Sequence, residues 1–441
     1  MPSTSFFLSI PCGVRAVALL GVFLGTALAA EGPNITLGAA GWFNYGSIVS
    51  SSDTAFGIDV EGRPMISSGA QIVLQGAVSE HLDIQAGIGA AGGHFIAPKV
   101  TTQGGYSPYD IGPYVAQANF TYSFWKAEAS SLFLRGGLFA YDYAEENQNL
   151  GLYLLRGPVY PGLVLSGFET KHVLPVANML GMQLHHQAGA FQHDVLMQVE
   201  TEFKPYYDVS LAYLATIKAG SAFRLTGGAN YYHLISVDPS LTTDTTRMRW
   251  VDTAGAVDDT VQLSARAIKL MVNAAFDVKA LFGGSEVLGA EDLKIYGEVA
   301  LLGLENSKVY KDLYGPYSQR MPMMVGFNLP VFKLLDRLSL EVEYYGAPFK
   351  DDLKNFENTA IIKTSVIPID VDSNYTKDNL KWSVYGSRTI SNHIKLSLQV
   401  ASDHFRPGVF TGYGDNNPPQ SEAVLFSPSE WYWMGKVAYF F

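Results

Sequence analysis

Cysteine is all but absent from this chain: among 441 residues there is one, Cys12. It precedes an apolar run from Ala16 to Gly25, whereas a lipoprotein box would set its cysteine after such a run. The chain beyond residue 29 therefore has no thiol and no disulfide framework. Charge is scarce too, at 16% of residues, where a soluble domain carries about a quarter. Basic residues are the scarcer sign, 30 against 41 acidic, for a net charge of −11. That balance argues against a nucleic-acid partner, which needs basic surface. Past the amino-terminal segment no apolar stretch reaches the roughly 18 residues of a membrane-spanning helix. The P-loop, the G-x-S-x-G elbow, the H-E-x-x-H pair and the dinucleotide fingerprint are all missing. The reading is of a non-enzyme with no catalytic residue and no cofactor.

Residues 1–29 carry a single charge, Arg15, then the apolar run, then Ala27-Leu28-Ala29, an A-x-A site of small residues. This predicts a secretory signal peptide cut after Ala29, leaving one domain over 30–441. Losing Arg15 moves the net charge from −11 to −12. The whole chain is 48% hydrophobic and 13% aromatic with 43 glycines, yet past residue 29 it forms no long apolar runs. Its apolar residues instead recur with period two in segments of about ten residues, the signature of a transmembrane β-barrel. Ala70, Ile72, Leu74, Gly76 and Val78 alternate with Gln71 and Gln75; Ile84, Ala86 and Ile88 alternate with Asp83 and Gln85. Tyr114, Ala116, Ala118, Phe120, Tyr122 and Phe124 read as one further apolar face. Later segments repeat the pattern: Phe223 to Tyr231, Leu293 to Leu301, Leu338 to Tyr344 and Ile394 to Val400. Aromatics gather at segment ends, as in the interfacial girdles of a membrane barrel.

The carboxy-terminal segment sharpens this. Trp431, Trp433, Gly435, Val437, Tyr439 and Phe441 share one face of a strand that stops on an aromatic residue. It resembles the closing strand of Gram-negative outer-membrane β-barrels, which end in Phe with an aromatic two residues earlier. The resemblance implies that Tyr439 and Phe441 form the assembly signal read by the outer-membrane barrel assembly machinery. It also implies a location in the outer membrane of a diderm bacterium, with lipid as the outer neighbour.

Connections alternate short and long, as periplasmic turns and outward loops do. Turns are expected at 79–81, 125–130, 187–192, 218–221, 279–291, 330–337 and 389–393. Outward loops are expected at 46–66, 95–111, 144–177, 203–207, 237–261, 305–318, 348–377 and 405–428. Seven turns and eight loops join sixteen strands with both termini on the periplasmic side. The region 160–217 admits one strand more or fewer, so eighteen is the rival count.

Loop 144–177 is too apolar to hang in water, with Leu150, Leu152, Leu154, Leu155, Val159, Leu163, Val164 and Leu165. It follows the fifth strand, where general porins fold a loop inward. By that resemblance Glu145, Glu146 and Arg156 line a channel constriction; if 160–168 is an ordinary strand, no such loop exists. Alternation turns Asp83, Arg135, Asp194, Glu200, Arg224, Lys269, Lys294, Glu298, Glu341, Glu343 and Lys395 toward the lumen. A lipid-facing charge at mid-membrane costs about 2–4 kcal/mol, which supports that orientation. The expected function is a porin-like channel for passive diffusion of small hydrophilic solutes or ions, and the resemblance leaves a homotrimer open. The alternative is a plugged or narrow barrel whose loops 237–261, 348–377 and 405–428 serve surface interaction. His186 and His193 flank a short turn, and a register pairing them would bring two imidazoles together. The spacing fixes no third ligand, so no metal site is assigned.

Overall fold

The computed structural model describes residues 34–52, 60–95, 111–155, 178–201, 207–237, 243–252, 255–264, 266–282, 287–304, 317–344, 379–405 and 425–441. The expected signal peptide lies outside them. The first strands are β1 (Asn34–Ser50), β2 (Pro64–Ala77), β3 (Leu82–Phe95), β4 (Ile111–Ala127) and β5 (Ser130–Ala140). They are followed by β6 (Asn178–Ala188), β7 (Phe191–Val199), β8 (Val209–Ala219) and β9 (Phe223–Ile235). A hairpin, β10 (Thr243–Asp252) and β11 (Gly255–Ser264), precedes β12 (Ala267–Asp277), β13 (Lys294–Leu302) and β14 (Met323–Asn328). The chain closes with β15 (Arg337–Tyr344), β16 (Leu380–Ile390), β17 (Ile394–Ser402) and β18 (Trp431–Phe440).

Sixteen of these strands form one closed antiparallel barrel, running from β1 through β9 and on through β12 to β18. Strands β10 and β11 pair with each other in a separate two-stranded sheet, which falls in the connection expected as loop 237–261. The barrel thus has the expected sixteen strands and not the rival eighteen; the two further strands stand outside the wall. The seven expected turns fall between strand ends at one end of the ladder, and the strand ends that flank the eight expected loops lie at the other. Loop 348–377 and most of 95–111, 144–177, 305–318 and 405–428 lie outside the described residues. The turn between β16 and β17 has Ser391 at φ 57° and Asn392 at φ 60°, the paired left-handed residues of a tight hairpin. The barrel shuts where β18 meets β1, from Ala40 opposite Phe440 to Ser50 opposite Trp431. Phe441 extends that seam by exchanging backbone hydrogen bonds with Ala39, N–H to O at 2.8 and 3.0 Å.

The alternation has a physical cause that burial makes plain. On β13, Tyr296, Glu298, Ala300 and Leu302 are buried inside, Ile295 just before them is exposed outside, and the residues between them are half-buried. Leu37 and Val325 are each 60% exposed on the outer wall. A continuous apolar exterior of this kind is stable against hydrocarbon and would be a liability in water. On β18, Tyr432, Met434 and Ala438 are buried inside, leaving the aromatic face expected from the sequence on the exterior.

One expected face is corrected. Phe120, Tyr122 and Phe124 point outward and are exposed, but Tyr114 and Ala116 turn inward. A register shift in the β3–β4 pairing, between Gly87 and Ile88, is the cause: an extra residue in β4 flips the side-chain parity. Tyr114 thereby packs beside Trp42, Ala91 and Ala438, and its hydroxyl donates to Gln71 Oε1 at 3.1 Å.

Candidate functional site

After Ala140 the chain leaves the wall and turns into the barrel. Asp142 Oδ1 accepts the N–H of Ala144 at 2.9 Å, a local Asx turn that starts the bend. Gln148 Nε2 then donates to the carbonyls of Glu145 and Glu146 at 2.9 and 2.8 Å. Gly151 takes φ 80°, and a Cβ there would lie 2.3 Å from Asn147 Nδ2, so only glycine fits. Leu152 follows at φ 61°, a conformation that leucine seldom adopts and that its surroundings must hold in place.

What holds it is a row of carboxylates on the opposite wall. Glu341 accepts the backbone N–H groups of Gln148, Asn149 and Leu150 at 2.6, 2.8 and 2.8 Å, and the hydroxyl of Tyr296 at 2.9 Å. Glu298 accepts the N–H groups of Leu152 and Tyr153 at 3.1 and 2.8 Å, the Tyr143 hydroxyl at 2.8 Å, and the amides of Asn147 and Asn273, both at 3.1 Å. Glu343 takes the Tyr153 hydroxyl at 2.6 Å and is bonded to His404. Asp403 accepts from Asn149 Nδ2 at 2.6 Å and from the Tyr432 hydroxyl at 2.8 Å. Lys269, fully buried, donates from Nζ to the Tyr153 carbonyl at 2.9 Å and sits 4.9 Å from the Tyr232 ring. Buried charges are tolerable only when their hydrogen-bonding capacity is met, and here each carboxylate finds several donors.

Apolar packing completes the attachment. Tyr143, Ala144, Leu150, Tyr153 and Leu154 are buried in one cluster with Leu196, Leu214, Met271 and Met324 from the wall. Each leucine so buried contributes about 1.5–3 kcal/mol. Leu154 occupies the space left by Gly228, whose missing Cβ would lie 2.7 Å from Leu154 Cδ2.

At the turn end the segment approaches a basic edge. Arg224 pairs with the Glu146 carboxylate and donates to the Tyr143 carbonyl. Arg337 donates to the Glu145 carbonyl at 3.2 Å and pairs with Glu291, which also holds Lys294 at 2.9 Å. Burial alone would raise the Glu291 carboxyl, but Arg337 and Lys294 outweigh it and hold the group below the usual carboxylate range. A cleft of about 330 Å³ opens here, lined among others by Asp142, Glu145, Glu146, Lys218, Arg224 and Lys294.

Of the residues expected at a constriction, Glu145 is exposed, Glu146 is half-buried, and Arg156 lies outside the described residues. Asp83 is exposed near the turn end, and Glu200 stands one residue beyond β7. Arg135 donates to Thr121 Oγ1 at 3.2 Å and lies over the Phe133 and Phe139 rings. Asp194 accepts from Gln183 at 2.7 Å and from Gln192 at 2.9 Å, and meets His185 Nδ1 at 2.8 Å. Lys395 is half-buried, with the parity of buried Gln399 and Ala401. Tyr143, Asn147, Asn149, Tyr153, Asp403 and His404 were not singled out by sequence. Their available signal was the surplus of inward carboxylates at mid-strand, Glu298, Glu341 and Glu343, which require donors from somewhere.

In architecture the barrel is porin-like. No protein-family model matches the chain, and no curated protein matches it. Solved structures similar to it include a double mutant of Rh. blastica porin, 9% identical, covering 92% of this chain and 100% of that one, with a TM-score of 0.42. Another, from work on asymmetric conductivity of engineered proteins, is 10% identical with the same coverage and a TM-score of 0.44. Likeness at this level carries no functional argument; the strand ladder itself establishes the architecture.

Proposed function

We propose that this chain is an outer-membrane channel through which small hydrophilic solutes or ions diffuse passively, narrowed by its in-folded segment. The observation that carries the reading is the attachment of residues 141–155 to Glu298, Glu341 and Glu343, deep inside a sixteen-stranded wall. A wall of sixteen strands leaves a lumen wide enough for water, whereas eight strands fill theirs with side chains. A segment fixed across such a lumen reduces its cross-section, and the charges along it select what passes. Glu145, Glu146 and Arg156 keep their proposed place at the narrowest point, with the inward charges of the wall as the field around it. Export by the signal peptide over 1–29, assembly through Tyr439 and Phe441, a homotrimeric state and a non-enzymatic role belong to the same proposal.

A second reading, a plugged barrel acting at the surface, draws support from the far wall. Asn44, Ser383 and Gln399 are also buried at the middle of the barrel, while Thr36, Gln75 and Lys218 are exposed toward its turn end. Single-channel conductance in planar bilayers separates the two. The channel reading expects discrete steps from the intact protein and steps several-fold larger when 145–153 is replaced by a short Gly-Ser linker. An intact barrel that is silent, with a conducting deletion, is the plugged state. Equal conductance from both folded proteins removes the segment from any narrowing role.

A further inference from the structure

On the outer wall near the turn end, β6 and β7 place two histidines directly opposite one another, His186 and His193. Their rings lie 5.9 Å apart, centroid to centroid, and within 14° of parallel. Both are half-buried, and both have the outward parity opposite to that of His185 and Asp194, which are buried inside. We infer that His186 and His193 form a two-nitrogen site for a borderline divalent transition-metal ion such as Cu²⁺, Ni²⁺ or Zn²⁺.

Three features make the pair more than a coincidence of register. Directly opposed strand residues have Cβ atoms about 4.5–5.5 Å apart, so modest ring rotations bring both Nε2 atoms onto one ion. Tyr213, on β8, sets its hydroxyl 2.8 Å from His193 Nδ1. With Nδ1–H donating to that oxygen, Nε2 keeps its lone pair for a metal, the outer-shell device by which ligating histidines are oriented. Trp125 packs edge-on to the His186 ring at 6.3 Å and is itself held by Ser130 at 3.1 Å. Imidazole suits Cu²⁺, Ni²⁺ and Zn²⁺ and discriminates against Ca²⁺ and Mg²⁺, which seek oxygen. Among the described residues no group of three or more His, Cys, Asp or Glu side chains could hold a metal ion, so the ion completes its shell with water. Lying at a strand end beside the β6–β7 turn, the pair is within reach of the aqueous phase. The site is independent of whether the lumen conducts.

The test uses tag-free mature protein folded in detergent micelles, titrated with Cu²⁺ and read by electron paramagnetic resonance. One Cu²⁺ per barrel with two imidazole nitrogens is expected, lost in His186→Gln and in His193→Gln and retained in the His81→Gln/His393→Gln double variant. Tyr213→Phe should weaken binding about ten-fold. Unchanged Cu²⁺ binding in a folded His186→Gln/His193→Gln variant overturns the proposal. A second measurement needs no variant: Zn²⁺ should protect His186 and His193 of the parent protein from diethyl pyrocarbonate while His81 and His393 react. Equal reaction of all four histidines with Zn²⁺ present also overturns it.

Discussion

On the wall formed by β12 to β15 the inner face is covered by a segment from elsewhere in the chain, whereas on the wall formed by β1 to β4 it covers itself. The first wall presents Glu298 and Glu341, which accept five backbone N–H groups from residues 148–153, and Glu343, which takes the Tyr153 hydroxyl and His404. The second presents small residues with aromatic rings laid flat on them. Trp42 lies over Gly69, where a Cβ would sit 2.2 Å from the ring, and Tyr114 lies over Gly89, where it would sit 2.5 Å away. Tyr296 over Gly326 brings the same device to the first wall, but there the tyrosine hydroxyl serves Glu341. A carboxylate buried at mid-barrel must be given donors, so the acidic wall recruits a segment; a glycine–aromatic wall has no such demand, and among the described residues it recruits none.

The largest effect is expected where that demand is removed. Glu298→Ala with Glu341→Ala strips the acceptors from five backbone N–H groups, those of residues 148, 149, 150, 152 and 153. Each buried donor left unsatisfied costs about 1–3 kcal/mol, enough together to release the segment. Protease cleavage within 145–153 should rise by at least ten-fold while the barrel keeps its heat-modifiable migration, and conductance should increase with it. Gln71→Ala with Gln85→Ala on the other wall should leave both readouts near the parent values. Equal responses from the two walls would break the comparison.

Next in size is the self-covering wall. Gly69→Val should lower the yield of folded barrel, because Trp42 has no space to give and overpacking costs about 1–3 kcal/mol. Trp42→Ala in the same chain should restore much of that loss, a coupling that a double-mutant cycle in urea unfolding measures. If Trp42→Ala brings no recovery, the ring is not what limits residue 69.

How much of this was legible in the sequence follows the same division. The wall was readable because lipid outside imposes period two locally: Leu340, Val342 and Tyr344 declare their face without knowledge of any partner. Strand β4 misled at Tyr114 because a one-residue bulge leaves no compositional mark, only a change of parity. The hairpin of β10 and β11 went unread because Thr243, Asp244, Thr245 and Thr246 show no apolar alternation; a sheet separate from the barrel wall is not held to that period. The inward segment was visible in its leucines, but its attachment was not. Glu341 and Gln148 are 193 residues apart, and nothing local in either marks the other. The carboxylates on the wall were read only as lumen-facing; five of the donors to Glu298 and Glu341 are backbone groups, which every residue but proline has and which therefore carry no sequence signal.

The smallest effect tests whether the acidic wall's logic extends to its turn end. Glu291 lies between Arg337 and Lys294, all partly accessible to solvent, so the cluster is worth at most about 1 kcal/mol. Its carboxyl is held below the ordinary value of 4.5, and the sign follows from that. The stabilisation is fully present above the unfolded pKa and is lost as pH falls through the lower, folded value. The amide of Leu293, which donates to the Asn328 carbonyl at 3.0 Å in this turn, is a local reporter. Its hydrogen-exchange protection should be lower in Glu291→Gln than in the parent at pH 6, and the gap should close as the pH is taken below 4. Comparing the two proteins at each pH cancels the intrinsic exchange rate. A gap that persists in acid would assign the effect of residue 291 to packing, leaving charge pairing as a feature of the clamped segment alone.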